Sequence, residues 1–344
     1  MCRFFDFLKK GCIVLGFSFI MENVEKNCWI GSVGDTSETI TERSAAPFTR
    51  DGQRETSAFL FENRERIRRQ EVNMYIDKKL TKGYNEYVRE DVNNGEGSMM
   101  DVGVLLMEAG DTYTFHEEKQ ELAWILFYGE ATVEFDGQTT EVNRPNPFEY
   151  STVCLHQAAG ATSTITAKAD CKLFVQKTTN ENAFPTHLYL PEETDTWHRG
   201  ADGMCAGCCE RYVRTSFDYD NAPYSNMVLG EVVNLPGKWS SYPPHAHPQP
   251  EVYFYHFEKE QGYGAGWVND EVAELHHNGL AVITKGNHAM SMAPGYACCY
   301  IWGIRHLPGD PWLKTRIDDP AHAWLLDPEA KFWNGEMKDG SKAE

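Results

Sequence analysis

From residue 74 onward the sequence is a succession of short runs rich in β-branched and aromatic residues, separated by glycine and proline. Segments 101–107, 122–127, 131–135 and 162–178 carry this signature in one half, and 226–234, 251–257, 279–284 and 296–304 in the other. Such runs read as strands, and Asp136-Gly137 reads as a tight hairpin turn. Long helical periods are scarce. Many short strands joined by Gly/Pro turns restrict the chain to an all-β sandwich or barrel. The two series predict a tandem pair of similar β-barrels, 74–190 and 191–330, with a break near 185–210 and a tail at 331–344.

Of the 344 residues, 41% are hydrophobic and 24% charged, which excludes a disordered or low-complexity chain. A formal charge of −19 makes the chain a poor candidate for binding nucleic-acid phosphates, which needs a basic face. A carboxylate-containing metal site remains compatible with it. The ten cysteines include the adjacent pairs Cys208-Cys209 and Cys298-Cys299, and no spacing repeats. Reduced thiols in a cytoplasmic protein are expected. Cys205-x-x-Cys208 has no second CxxC to complete a zinc ribbon.

Residues 1–73 have a different texture. The apolar run 12–21 is too short to cross a membrane, and no cleavage site follows it. Segment 63–69 is a charge run suited to a solvated face. Gln70-Glu71-Val72-Asn73-Met74 back-translates to a stretch containing AGGAGG shortly before ATG, a ribosome-binding pattern. Met74 is therefore the expected natural start, and 1–73 an over-extended frame or a disordered extension.

The strongest chemical signal is Pro243-Pro244-His245-Ala246-His247-Pro248-Gln249-Pro250-Glu251. His245 and His247 are two apart, so on a strand their imidazoles share a face. Glu251 opens the next apolar strand, and a turn at 248–250 brings its carboxylate towards them. His288 follows Gly286-Asn287 and supplies a third imidazole. Three histidines and one carboxylate suit zinc, iron, manganese or nickel, with positions left for water or substrate.

This arrangement resembles the cupin double motif, although Met292 replaces its final asparagine and the glycine spacings are relaxed. The stretches 237–245 (GKWSSYPPH), 251–255 (EVYFY), 293–296 (APGY) and 318–324 (DDPAHAW) are similar to the KduI/IolB bicupin isomerase family. The resemblance covers roughly 74–330. It implies two tandem jelly-roll barrels and a divalent metal, most often zinc, held by His245, His247, Glu251 and His288. The first barrel carries a degenerate version of the motif. Gly110, His116, Glu118, Glu121 and Gly129 are in sequence, and His156 lacks the second motif's context. A structural barrel without metal is expected there.

The resemblance further implies isomerisation of a small deoxy-uronate: 5-deoxy-D-glucuronate to 5-dehydro-2-deoxy-D-gluconate, in myo-inositol catabolism. Alternatives are the 4-deoxy-L-threo-5-hexosulose-uronate ketol-isomerase of pectin breakdown, a non-catalytic sugar-binding bicupin and an iron dioxygenase. A proton shuttle is required. Tyr253 and Tyr255 share a strand face with Glu251, and His322 in the 318–324 tail is a further candidate. Arg305 is the first choice for the substrate carboxylate and Arg316 the alternate. Strand edges on two barrels make a homo-oligomer plausible.

Overall fold

The computed structural model describes residues 75–90 and 97–333. The expectations for 1–73 lie outside these residues, as does most of the 331–344 tail. Strand β1 (Tyr75–Ile76) is followed by β2 (Gly83–Val88), β3 (Asp101–Met107), β4 (Thr112–His116), β5 (Gln120–Phe135) and β6 (Gln138–Arg144). Then come β7 (Cys154–Gln157), β8 (Thr162–Ala167), β9 (Cys171–Thr179) and β10 (His187–Tyr189). A 3-10 turn, Pro191–Glu193, leads into β11 (Asp195–Arg199), β12 (Arg211–Phe217), β13 (Met227–Asn234), β14 (Trp239–Ala246) and β15 (Glu251–Phe257). The series closes with β16 (Tyr263–Val268), β17 (Glu271–His276), β18 (Leu280–Ile283), β19 (His288–Met292), β20 (Cys298–Arg305) and β21 (Ile317–Asp318). Among the described residues, no helix is long and apolar enough to cross a membrane.

The described residues are nearly all β, and their layered sheets are consistent with a bicupin. Strands β2 to β10 form one nine-stranded sheet system. The later strands form a seven-stranded sheet, ordered β1-β18-β15-β20-β13-β12-β11, and a five-stranded sheet, ordered β17-β16-β19-β14-β21. The first described strand thus joins a sheet made otherwise of residues 195–305, with Tyr75 opposite Ala281.

Two segments differ from the strands expected. Runs 122–127 and 131–135 are parts of one 16-residue strand, β5. It bends at a register shift between Leu126 and Tyr128. Gly129, at φ 132°, permits the bend, since a Cβ there would lie 2.4 Å from Cys171 Sγ. Run 162–178 divides into β8 and β9. Asp136 and Gly137 both have positive φ, 48° and 73°, as a two-residue hairpin turn requires.

The pattern of β15 shows how the layers meet. Val252 and Phe254 pack with Ile125, Phe127 and Phe174 of the first sheet system. Tyr253, Tyr255 and Phe257 face the other way, into the cluster with Met290, Tyr300 and Trp302. A strand buried on both faces has no polar alternation to keep, which explains the continuous apolar run EVYFYHF. One face of the seven-stranded sheet therefore backs onto the first half of the protein, and the other lines the site.

Candidate metal centre

His245 lies near the end of β14, directly opposite His288, the first residue of β19. On its other side His245 pairs with Asp318 of β21. The ladder of β14 is irregular between Ser240 and His245, as two consecutive prolines in a strand require. His247 follows in the turn, and Glu251 begins β15 across the sandwich. One ring nitrogen from each of His245, His247 and His288 lies within 4.8 Å of the others.

The hydrogen bonds fix which nitrogen faces inward. His245 Nδ1 donates to Ser241 O at 3.1 Å, and His247 Nδ1 to Gln249 O at 2.9 Å. His288 Nδ1 makes a longer contact to Gly286 O at 3.4 Å. A carbonyl only accepts, so each Nδ1 carries a proton and each Nε2 is left for another partner. His247 Nε2 and His288 Nε2 both point at Glu251 Oε2, at 3.2 and 3.4 Å. The second contact lacks hydrogen-bond alignment, so His288 Nε2 is buried without a partner. Bare imidazole nitrogens against a carboxylate oxygen need a shared cation, either a proton or a metal ion. The donor set of three imidazoles and one carboxylate fits a divalent metal.

The electrostatics follow from this packing. Burial, reinforced by the neighbouring imidazole of His288, pulls His245 down to about 2, so it stays neutral, the form in which an imidazole can hold a metal. Burial alone raises the Glu251 carboxyl, but the hydrogen bond from His247 and the adjacent imidazole of His288 outweigh it and hold it at about 2. Burial lowers His247 as well, yet its hydrogen bond to Glu251 prevails and the net shift is upward.

A cavity of about 320 Å³ opens on His245, His247 and Glu251. Tyr253 lines it, donating to Glu251 Oε2 at 2.9 Å and meeting Ser241 Oγ at 3.0 Å. Arg316 also lines it. The other sequence candidates lie elsewhere. Tyr255 shares Tyr253's face but sits deeper, packed on Tyr75 and Tyr300 at centroid distances of 6.4 and 6.0 Å. His322 is exposed at the start of a 3-10 turn, Ala323–Leu326. The expectation for Arg305 is corrected. Its guanidinium donates from Nε to Thr178 Oγ1 at 2.6 Å and from Nη1 to Asn226 O at 3.3 Å. Those bonds hold it against the first half of the protein, away from the cavity.

Sequence reasoning missed the acids of the tail. Asp319 Oδ2 accepts from Asn287 Nδ2 at 2.8 Å, bracing the residue before His288. It also missed Trp197, Arg199 and Arg211, which reach the cavity from β11 and β12. Their alternation with Val213 and Thr215 was the available signal. In the first half, His116 is exposed beside Glu118, 3.1 Å away. Glu121 and His156 form a separate buried pair at 2.9 Å, and Glu121 also accepts from Asn226 N at 2.7 Å.

An all-β chain whose strand ends gather three imidazoles and a carboxylate at the mouth of a cavity is a protein of the bicupin class. This chain belongs to the KduI/IolB family, whose model matches residues 75–325. It is 26% identical over 255 residues to the 5-deoxy-glucuronate isomerase of Bacillus subtilis subsp. natto, covering 68% of this chain and 90% of that one. It is 26% identical over 259 residues to the 5-deoxy-glucuronate isomerase of Lacticaseibacillus casei, covering 69% and 92%. A solved IolB-like protein from Salmonella typhimurium LT2 aligns with a TM-score of 0.67 at 21% identity, over 74% of this chain and 100% of that one. An oxalate decarboxylase from Lactobacillus farciminis shares the fold alone, with a TM-score of 0.52 at 10% identity over 75% and 91%. The curated relatives are isomerases, and the chain is an enzyme of that class.

Proposed function

We propose that this protein is a metal-dependent aldose–ketose isomerase converting 5-deoxy-D-glucuronate to 5-dehydro-2-deoxy-D-gluconate in myo-inositol catabolism. The observation that carries the reading is the convergence of His245, His247, His288 and Glu251 beside a cavity, with His288 Nε2 buried and unpartnered. These four residues would hold the metal, and zinc is the ion assigned. Zinc bound there would supply Lewis-acid polarisation of the substrate carbonyl.

The chain's own residues manage the proton. Isomerisation moves one proton from C2 to C1 and another between the two oxygens. Tyr253 is the side chain best placed for the oxygen proton, because its phenol lines the cavity. Burial, then the Glu251 charge, keeps that phenol well above its ordinary value of 10.0. It therefore stays protonated at neutral pH and acts as a donor rather than a base. Glu251 accepts its hydrogen bond and orients it. The indole of Trp302 and the ring of Trp312, 5.8 Å apart by centroid, form an apolar wall of the cavity.

The test is direct. Metal-loaded protein is incubated with 5-deoxy-D-glucuronate while the C1 proton is followed by NMR. Loss of that signal with appearance of the ketose supports the reading. No conversion by metal-loaded protein overturns it.

A further inference from the structure

Three arginines, Arg199, Arg211 and Arg316, line the cavity that contains His245, His247 and Glu251. Arg199 and Arg211 stand directly opposite each other across β11 and β12. Like charges in that register are destabilising, so the pairing needs a reason. Alternation places both on the face that also presents Trp197 and Val213 to the cavity. Arg316 approaches from the other sheet, immediately before β21. Burial, and then the charges of Arg211 and Arg316, depress the guanidinium of Arg199, so the three groups act on one another. The charge of Arg316 also acts on His245 and His247. The cationic wall thus extends from the metal ligands to the edge strand.

The three groups are not equally committed. Arg316 donates from Nε to Asp318 and from Nη2 to Pro243 O at 2.6 Å. Arg211 donates from Nη1 to Cys209 O at 2.6 Å. Arg199 lies over the indole of Trp197, its guanidinium carbon 4.0 Å from the ring centroid. Among the described residues no acceptor takes a hydrogen bond from it; Asp202 acts on it through charge alone. A guanidinium stacked on an aromatic ring is held flat with its donor fork free, the form that binds a carboxylate with two hydrogen bonds. Lys314, the other cation of the lining, is already paired with Asp218 and Asp220. Glu251 is the sole carboxylate among the residues lining the cavity.

We infer that Arg199, supported by Arg211 and Arg316, clamps the acid end of the substrate and makes the site select a sugar acid over its uncharged counterpart. The inference rests on the isomerase reading only for which acid is bound. Trp197 is a positioning residue, since it acts by holding Arg199 flat.

The test uses the full chain and two probes of nearly equal shape, D-glucuronate and the uncharged D-glucuronamide, measured by calorimetry. The unaltered protein is expected to bind the acid roughly tenfold or more tightly than the amide. Arg199→Gln is expected to remove that difference by weakening the acid alone, and Arg199→Lys to keep part of it. Because Arg199 is on an edge strand, unchanged melting checks that the variants fold. In turnover, Arg199→Gln raises KM for 5-deoxy-D-glucuronate roughly tenfold with little change in kcat. Equal binding of acid and amide by the unaltered protein overturns the clamp, as does undiminished acid binding by Arg199→Gln. Acid selectivity lost in Arg199→Gln, in a protein that never turns over 5-deoxy-D-glucuronate, supports the clamp and removes the isomerase reading. Turnover with an unaltered KM in Arg199→Gln removes the clamp and keeps that reading.

Discussion

His288 Nε2 lies 3.4 Å from Glu251 Oε2, buried and without a hydrogen bond. The two residues begin strands of different sheets, β19 and β15, so the contact spans the sandwich. A buried nitrogen left unpaired beside a carboxylate is costly unless a cation completes it. The sheets deliver these two groups to one point, and His245 and His247 complete the set.

Tyr253→Phe removes the phenol that donates to Glu251 Oε2 and leaves the imidazoles in place. The expected result is a kcat lower by roughly 10²–10⁴ with bound metal unchanged. Steady-state kinetics beside elemental analysis checks both parts. An unaltered kcat would remove Tyr253 from the proton path.

Glu231 joins the two halves. Its Oε1 accepts from Arg144 Nη2 of β6 and Arg214 Nη1 of β12, each at 2.6 Å, and all three side chains are buried. Glu231→Gln leaves two buried guanidiniums without a counter-charge. It is expected to cost about 3–5 kcal/mol, or about 10 °C in melting temperature. A fall of under about 3 °C would show that the network contributes little.

Lys172 has a different pH signature. Its ammonium is buried over Phe127 and Phe254, with His256 Nδ1 at 3.0 Å and Asn278 Oδ1 as neighbours. Burial pulls it from 10.5 to about 7. The folded state therefore binds fewer protons than the unfolded state between those values, and stability from this group rises with pH across that window. Its penalty is complete below about 7 and relieved towards 10.5. Lys172→Met is expected to flatten the rise in melting temperature between pH 7 and pH 9.5 relative to the unaltered protein. Identical slopes would contradict the assignment.

Gly230 sits in β13 where a Cβ would lie 2.5 Å from Arg214 O and 2.7 Å from the Trp302 ring. Backbone on one side leaves only the indole to yield. Gly230→Ala is expected to destabilise by about 1–3 kcal/mol and, because Trp302 lines the cavity, to raise KM. Thermal melting and kinetics check the two effects separately.

The candidate metal set is legible in the sequence because its geometry is local. Two-residue spacing puts His245 and His247 together, and strand boundaries place Glu251 and His288. Parity also puts Tyr253 and Tyr255 on Glu251's face, but it carries no depth, so it cannot tell the cavity-lining tyrosine from the packed one. Arg305 shows the same limit: its strand-end position is readable, but its partner Thr178 lies 127 residues away. Arg199 and Arg211 meet through pairing of β11 with β12, and Tyr75 joins a sheet some two hundred residues further on. Such long-range register is set by the packed sheets and leaves no local trace.

The most direct test of the central claim is the metal content of the purified protein, of His245→Ala and of His288→Ala, measured by elemental analysis beside turnover of 5-deoxy-D-glucuronate. The predicted result is one divalent ion per chain in the unaltered protein, its loss from both variants, and a fall in activity of roughly a hundredfold or more. Full activity in a variant that has lost its metal, or a full complement of metal in both variants, would contradict it.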